Sequence, residues 1–212
     1  MKKIVLSYLL GISLISFYSC DNSTGGTPSI ATETINFQDD NGWIQYKTND
    51  STKYEHGNWY YYNASEETEM TELIVNCNKI SGASHSGYGI IFCHEDNSNF
   101  NRLLITKNGS YQILDKTNGT NTLITDWTYS EYLNTGYDVI NQLKITYNSS
   151  TDNFNFYCNN NLVTTIARAT FPGNRLSGKS GFYASIGSET DENFPEVPVN
   201  IKYQMLAPVS IP

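Results

Sequence analysis

The run Glu189-Thr190-Asp191-Glu192-Asn193-Phe194-Pro195-Glu196 places four carboxylates within eight residues. Cleaving a sugar bond needs two flanking carboxylates, one as acid and one as nucleophile or base. This run suits that chemistry poorly. Pro195 has no N–H to give to a ladder, which argues against a central strand. The stretch reads as an acidic surface loop, so no catalytic residue is assigned. Asp39-Asp40-Asn41-Gly42 offers oxygens to Ca²⁺ but lacks the spaced acidic ligands of a dedicated loop. Asp, Asn and Gly form a turn without any metal, and the turn is the favoured reading. His56, His85 and His94 show no paired metal-ligand spacing. No cofactor is expected, with Ca²⁺ the one open alternative.

Sugar binding asks for something else: exposed aromatic faces, with amides and carboxylates to meet hydroxyls. Trp43, Trp59, Tyr60, Tyr61, Tyr62, Trp127, Tyr129 and Tyr132 supply the rings, and Asn is abundant. In the run 59–62 neighbouring side chains face opposite sides, so some rings escape the core. Trp43, Trp59, Tyr61, Trp127 and Tyr129 are the candidate ligand-binding residues. The competing reading is that sandwiches fill cores and sheet margins with Trp and Tyr, and that scattered exposed apolar side chains are ordinary.

Cys20, Cys77, Cys93 and Cys158 are the four cysteines. Cys158 shares a strand face with Phe154 and Phe156, where it acts as a small buried hydrophobe. Cys77 and Cys93 fall on neighbouring strands of an expected hairpin and could pair in an oxidising compartment. Three free thiols are favoured over one disulfide. Cys93 and His94 are adjacent on a strand and point apart, so they are no catalytic couple.

The elements that must position these groups are short strands. Between Gly87 and Ile166 the pairs Asn108-Gly109, Asn118-Gly119 and Asn159-Asn160 interrupt strand-like runs. Such pairs tolerate the positive φ that a two-residue hairpin turn requires. Placing Asn108-Gly109 at a turn centre pairs Ile105 with Gln112 and Leu103 with Leu114. Leu103, Ile105 and Leu114 would then share the core face. Leu73, Val75 and Cys77 alternate on one face of 69–80, Ile90 and Phe92 on one face of 88–94; the two runs read as an antiparallel hairpin. Phe154, Phe156 and Cys158 alternate likewise, and Leu143 and Ile145 lie together. Further strands are expected over 33–38, 43–46, 57–62, 122–127, 162–166, 179–186 and 199–205. No segment keeps helical periodicity. The chain reads as all-β, a sandwich of two antiparallel sheets, with an up-and-down barrel as the competitor. A formal charge of −8 argues against nucleic acid as a partner, since phosphate contacts need clustered Lys and Arg.

The N-terminus carries a different signal. Met1-Lys2-Lys3 is basic, 4–18 is uncharged and apolar, and Ser19-Cys20 ends the run. This is the shape of a secretory signal, too short to span a bilayer comfortably. The stretch from Lys2 to Cys20 resembles the lipobox of bacterial lipoproteins, with Phe17 and Tyr18 departing from the usual Leu and small residue. That resemblance implies a diacylglyceryl thioether on Cys20, a membrane partner through that lipid, and a place in the bacterial cell envelope. Three regions are expected: a signal peptide over 1–19, a lipidated N-terminus and flexible tether over 20–31, and one domain over 32–212.

The middle of the chain resembles bacterial concanavalin A-like lectin/glucanase domains, the laminin-G-like jelly rolls of many surface proteins. Gly87-Tyr88-Gly89-Ile90-Ile91-Phe92 followed by 94–100 is similar to their GYGLVF run and the D-x-x-NFY that follows. Asn108-Gly109-Ser110-Tyr111 looks like their DGxY hairpin, and Trp127-Thr128-Tyr129-Ser130 like their WTxS. Asn141 to Ile145, Phe156 to Leu162 and Gly178 to Ala184 resemble NxLxV, FYVNGxLV and GxxGLYA, in the same order. The resemblance spans roughly 37–205. It implies a jelly roll of two packed antiparallel sheets, with functions ranging over carbohydrate binding, adhesion and glycan cleavage. In the family 16 hydrolases the catalytic carboxylates lie on one strand as E-x-D-x-x-E, or with one extra residue. The run at 189–196 matches neither spacing. The expected function is a non-catalytic binding or adhesion module, with carbohydrate as ligand. A glycoside hydrolase and a ligand-free structural or protein-interaction module are the alternatives.

Overall fold

The computed structural model describes residues 42–47, 59–63, 65, 67–185 and 199–207. Cys20, the tether, the strand expected over 33–38, the turn residues Asp39 to Asn41, His56 and the acidic run 189–196 lie outside the described residues. Among the described residues thirteen strands run in chain order. They are β1 (Trp43–Lys47), β2 (Trp59–Asn63), β3 (Thr68–Glu69), β4 (Glu72–Ser81), β5 (Tyr88–Asp96), β6 (Asn99–Ile105) and β7 (Ser110–Thr117). β8 (Thr120–Tyr129), β9 (Ile140–Asn148), β10 (Asn153–Cys158), β11 (Asn161–Ala167), β12 (Ser177–Ser185) and β13 (Asn200–Ala207) follow. Among the described residues the only helical element is one 3₁₀ turn, Arg168–Thr170.

The strands form two antiparallel sheets. The six-stranded sheet has the order β1-β13-β4-β9-β10-β11; the seven-stranded sheet has the order β2-β12-β5-β6-β7-β8, with β3 added to β12. Every pairing is antiparallel, and the sheets pack as a jelly-roll sandwich rather than closing into one barrel. Alternation places the core. Leu73, Val75 and Cys77 of β4, Leu143 and Ile145 of β9, and Phe154, Phe156 and Cys158 of β10 are buried from one sheet. Tyr88, Ile90 and Phe92 of β5, Leu103 and Ile105 of β6, and Tyr111 and Ile113 of β7 meet them from the other. Phe92 packs edge-on against Phe154, with ring centroids 5.9 Å apart, an arrangement that suits the quadrupoles of both rings.

Two of the asparagine turns form as expected. Asn118 (φ 49°) and Gly119 (φ 80°) connect the facing residues Thr117 and Thr120. Asn159 (φ 48°) and Asn160 (φ 66°) connect Cys158 and Asn161. Consecutive positive φ values give a turn whose twist matches the flanking strands.

Two expectations are corrected. The turn at Asn108-Gly109 holds three residues, not two. Gly109 N–H donates to Thr106 O at 3.2 Å, Thr106 N–H donates to Ser110 O at 2.9 Å, and Gly109 takes φ 85°. The added residue shifts the register by one, which exchanges faces on one strand. Ile105 therefore faces Tyr111, and Leu103 faces Ile113. Leu114 sits across from Arg102, on the sheet face away from the main core. Second, β4 and β5 are no hairpin. β4 pairs with β13 and β9, while β5 pairs with β12 and β6. The segment 82–87 crosses between the sheets, because each run has one apolar face and both faces must meet in the core. Cys77 and Cys93 thus belong to opposite sheets. Cys77, Cys93 and Cys158 are free and buried.

Candidate functional site

The strands that bury Ile90, Leu103 and Ile113 in the core turn their alternate residues to the other face of the seven-stranded sheet. Across β12, β5, β6 and β7, Gly181 faces Ile91, Ile91 faces Arg102, Arg102 faces Leu114, and Leu104 faces Gln112. Directly paired residues share a face. Ile91, Phe100, Leu104 and Tyr183 form a second, smaller apolar cluster there. Arg102, half-buried, stands in the middle of it.

The Arg102 guanidinium is held by dipoles. Nη1 donates to Tyr183 Oη at 2.7 Å, and Nη2 reaches Gln112 Oε1 at 3.5 Å. Its central carbon lies 5.0 Å from the Tyr183 ring centroid, within cation–π range. Burial pushes the Tyr183 hydroxyl up to about 12, with Arg102 opposing that rise. The hydroxyl therefore stays neutral and accepts from the cation. The Nε of Arg102 is buried with no hydrogen-bond partner.

β8 closes the edge of this sheet. Trp127 and Tyr129 are 41% and 67% exposed, two positions apart on one strand and so on one face. Gly87 leaves the space Trp127 leans into. A Cβ at Gly87 would lie 2.8 Å from Leu104 Cδ1 and 3.0 Å from a Trp127 ring carbon. Tyr129 lies beside Gly109, where a Cβ would come within 3.2 Å of its ring. The segment 130–139 packs against the same corner. Ser130 N–H donates to Gly109 O at 2.9 Å, and Gly136 N–H donates to Lys107 O at 2.8 Å. This segment carries two more exposed rings, Tyr132 and Tyr137. Lys107 Nζ sits 4.6 Å from the Tyr137 ring centroid.

The middle of the face, from Tyr183 through Ile91, Arg102 and Leu104 to Gln112 and Leu114, carries no carboxylate. Asp115, next in β7, turns inward to the buried Arg175 at 2.8 Å. His94, toward the far end of the face, packs against Phe100 with centroids 6.1 Å apart. Burial pushes its imidazole down to about 4, against the pull of Asp96 and with help from Lys179. The adjacent Cys93, at φ 48° in a bulge, joins the main core instead. Among the described residues no three of His, Cys, Asp and Glu come together in a metal-binding group.

The sequence-derived candidates do not all converge. Trp127 and Tyr129 share this face. Trp43 is half-buried on β1, an edge of the other sheet. Trp59 and Tyr61 belong to β2, the opposite edge of the seven-stranded sheet, where the backbone register sets Tyr61 across from Tyr183. Arg102, Gln112 and Tyr183 were missed. The one signal was Arg102 itself, a cation between Phe100 and Leu104 where alternation calls for an apolar residue. Gln112 and Tyr183 become its neighbours only through strand register.

No family model matches the sequence, and no curated protein sequence matches it. Solved structures do. A carbohydrate-binding module CBM66 from Bacillus subtilis superimposes with a TM-score of 0.56 at 12% identity, covering 81% of this chain and 89% of that one. A Bacillus licheniformis β-glucanase superimposes with a TM-score of 0.54 at 14% identity, covering 94% and 92%. The catalytic domain of an endo-1,3-β-glucanase (laminarinase) from Thermotoga petrophila gives 0.51 at 8%, covering 78% and 76%. At these identities the likeness is one of fold, and the fold is the concanavalin A-like β-sandwich.

Proposed function

We propose that the chain is a non-catalytic carbohydrate-binding module. The observation that carries this reading is the pair of exposed rings, Trp127 and Tyr129, beside the Arg102–Tyr183–Gln112 patch. Aromatic rings offer flat apolar faces to sugar rings, and the polar groups beside them fix orientation. The fold supports the reading, since a carbohydrate-binding module and glucanases share it. A hydrolase reading needs two carboxylates roughly 5–9.5 Å apart across the bound sugar. The absence of any carboxylate from the middle of the described face favours binding over cleavage. A glycan-array screen of the purified protein tests this. Binding is expected, and Trp127→Ala or Tyr129→Ala should weaken it about tenfold or more, as for a buried aromatic anchor. An array without a single bound glycan sinks the reading.

The module is further proposed to hang from the cell envelope by a lipid on Cys20, with 20–31 as tether. The support is the basic, apolar and Ser-Cys order of the first twenty residues. Mass spectrometry of the mature N-terminal peptide should find a diacylglyceryl thioether on Cys20; an unmodified Cys20 rules it out.

A further inference from the structure

We infer that this face takes glycans bearing an oxyanion, a uronate carboxylate or a sulfate ester, and that Arg102 is the residue that reads it. This rests on the glycan-binding reading above and narrows its ligand class. A charge drawn into a protein surface is ordinarily paired. Arg102 is half-buried and makes no ion pair; among the described residues the ion pairs are Arg168–Asp152 and Arg175–Asp115. Its partners, the Tyr183 hydroxyl and the Gln112 amide oxygen, orient the guanidinium without neutralising it. Its buried Nε keeps an unused donor. A guanidinium presents N–H groups in a planar fork that matches carboxylates and sulfates.

Two lysines and one carboxylate stand further along this face. Lys116 stands opposite Phe100 and Lys179 opposite His94, in a chain whose net charge is −8. Asp96 lies at the far end, beyond His94. A neutral glycan would leave the central cation uncompensated. An acidic one would complete it, with the sugar ring resting toward Trp127.

The test compares three probes on the purified protein by calorimetry and on an array: an oligogalacturonate, its carboxyl-reduced neutral counterpart, and a sulfate ester of that counterpart. At least one charged probe should bind about tenfold tighter than the neutral one, with the gap narrowing at high salt. Which charged probe binds identifies the source of the oxyanion. Arg102→Met should erase the preference, bringing the charged and neutral probes to within about twofold of each other in affinity. Equal or tighter binding of neutral glycans overturns the inference, as does a preference that survives Arg102→Met. If binding depends on Trp127 but ignores charge, the glycan-binding reading stands and this one falls. If nothing binds, both fall. The comparison of probes on the unaltered protein stays decisive should Arg102→Met fail to fold.

Discussion

Asp115 and Arg175 meet at 2.8 Å, with both side chains shut away from solvent. Arg175 Nη2 also donates to Asn101 Oδ1 at 3.1 Å and to the carbonyls of Phe100 and Lys116 at 3.2 and 2.9 Å. Nη1 donates to Thr117 Oγ1 at 3.1 Å. Gly173 lies against the guanidinium, where a Cβ would come within 2.1 Å of Nη1. The pair ties the connection between β11 and β12 to the ends of β6 and β7. Such a bond is worth little against a well-packed apolar substitute, but breaking it leaves a buried charge alone.

Asp115→Ala is therefore expected to cost about 3–5 kcal/mol of stability, measured by urea denaturation. Asp152→Asn, which breaks the solvent-screened pair with Arg168 at 2.7 Å, should change stability little. Equal losses for the two would contradict this account.

At Gly89 the backbone of the facing strand β6 leaves no room for a side chain. A Cβ there would lie 2.3 Å from Leu103 O, at a φ of 156°. Gly89→Ala should destabilise by about 3 kcal/mol. Gly119 also has positive φ, but a Cβ there meets nothing within 4 Å. Gly119→Ala should cost about 1 kcal/mol, from backbone strain alone. Thermal unfolding of the two variants distinguishes contact from strain.

His94 carries an acid sensitivity. Its imidazole drops from 6.5 to about 4 on folding, chiefly because burial disfavours the charged form. The unfolded chain then binds the extra proton, so stability is full above the unfolded value of 6.5. It falls as pH drops from 6.5 toward 4 and levels off below that. His94→Gln should remove this part of the slope. A wild-type and variant curve that run parallel between about pH 7 and pH 4 would show that the histidine is not its source.

The thiols should be silent in the folded protein. Burial pushes Cys93 and Cys158 up to about 12, and Cys77 well above its ordinary value, with Cys158 adding to that last rise. At pH 8 the thiolate fraction of Cys93 and Cys158 is on the order of one in ten thousand. Maleimide labelling should reach Cys77, Cys93 and Cys158 only in denaturant. Rapid labelling of any of them under native conditions would mean that its strand opens readily.

Much of the architecture was legible because it rests on local rules. The alternation of Phe154, Phe156 and Cys158 marks a strand with one buried face, and all three are buried. Asn118-Gly119 and Asn159-Asn160 have the conformational tolerance their turns use. Asn108-Gly109 looked the same and behaved differently. Loop length there is decided by Thr106 and Ser110 closing around three residues, and one extra residue moved Leu114 to the other face. Loop length depends on how the whole hairpin sits in the sheet, which a dipeptide does not encode.

Which strands neighbour one another is a further step removed. Alternation says that 72–81 and 88–96 each bury one face; it does not say that they lie in opposite sheets. The chain by itself determined an all-β fold, most of its buried faces and two of its corners, because side-chain periodicity and positive φ are properties of a few consecutive residues. Only the tertiary structure decided that Trp127 and Tyr129 share a face with Arg102 while Trp43 goes elsewhere. It alone joined Arg102 to Tyr183, 81 residues apart in sequence. That meeting depends on long-range strand order and register, set by the packing of every strand against its neighbours at once.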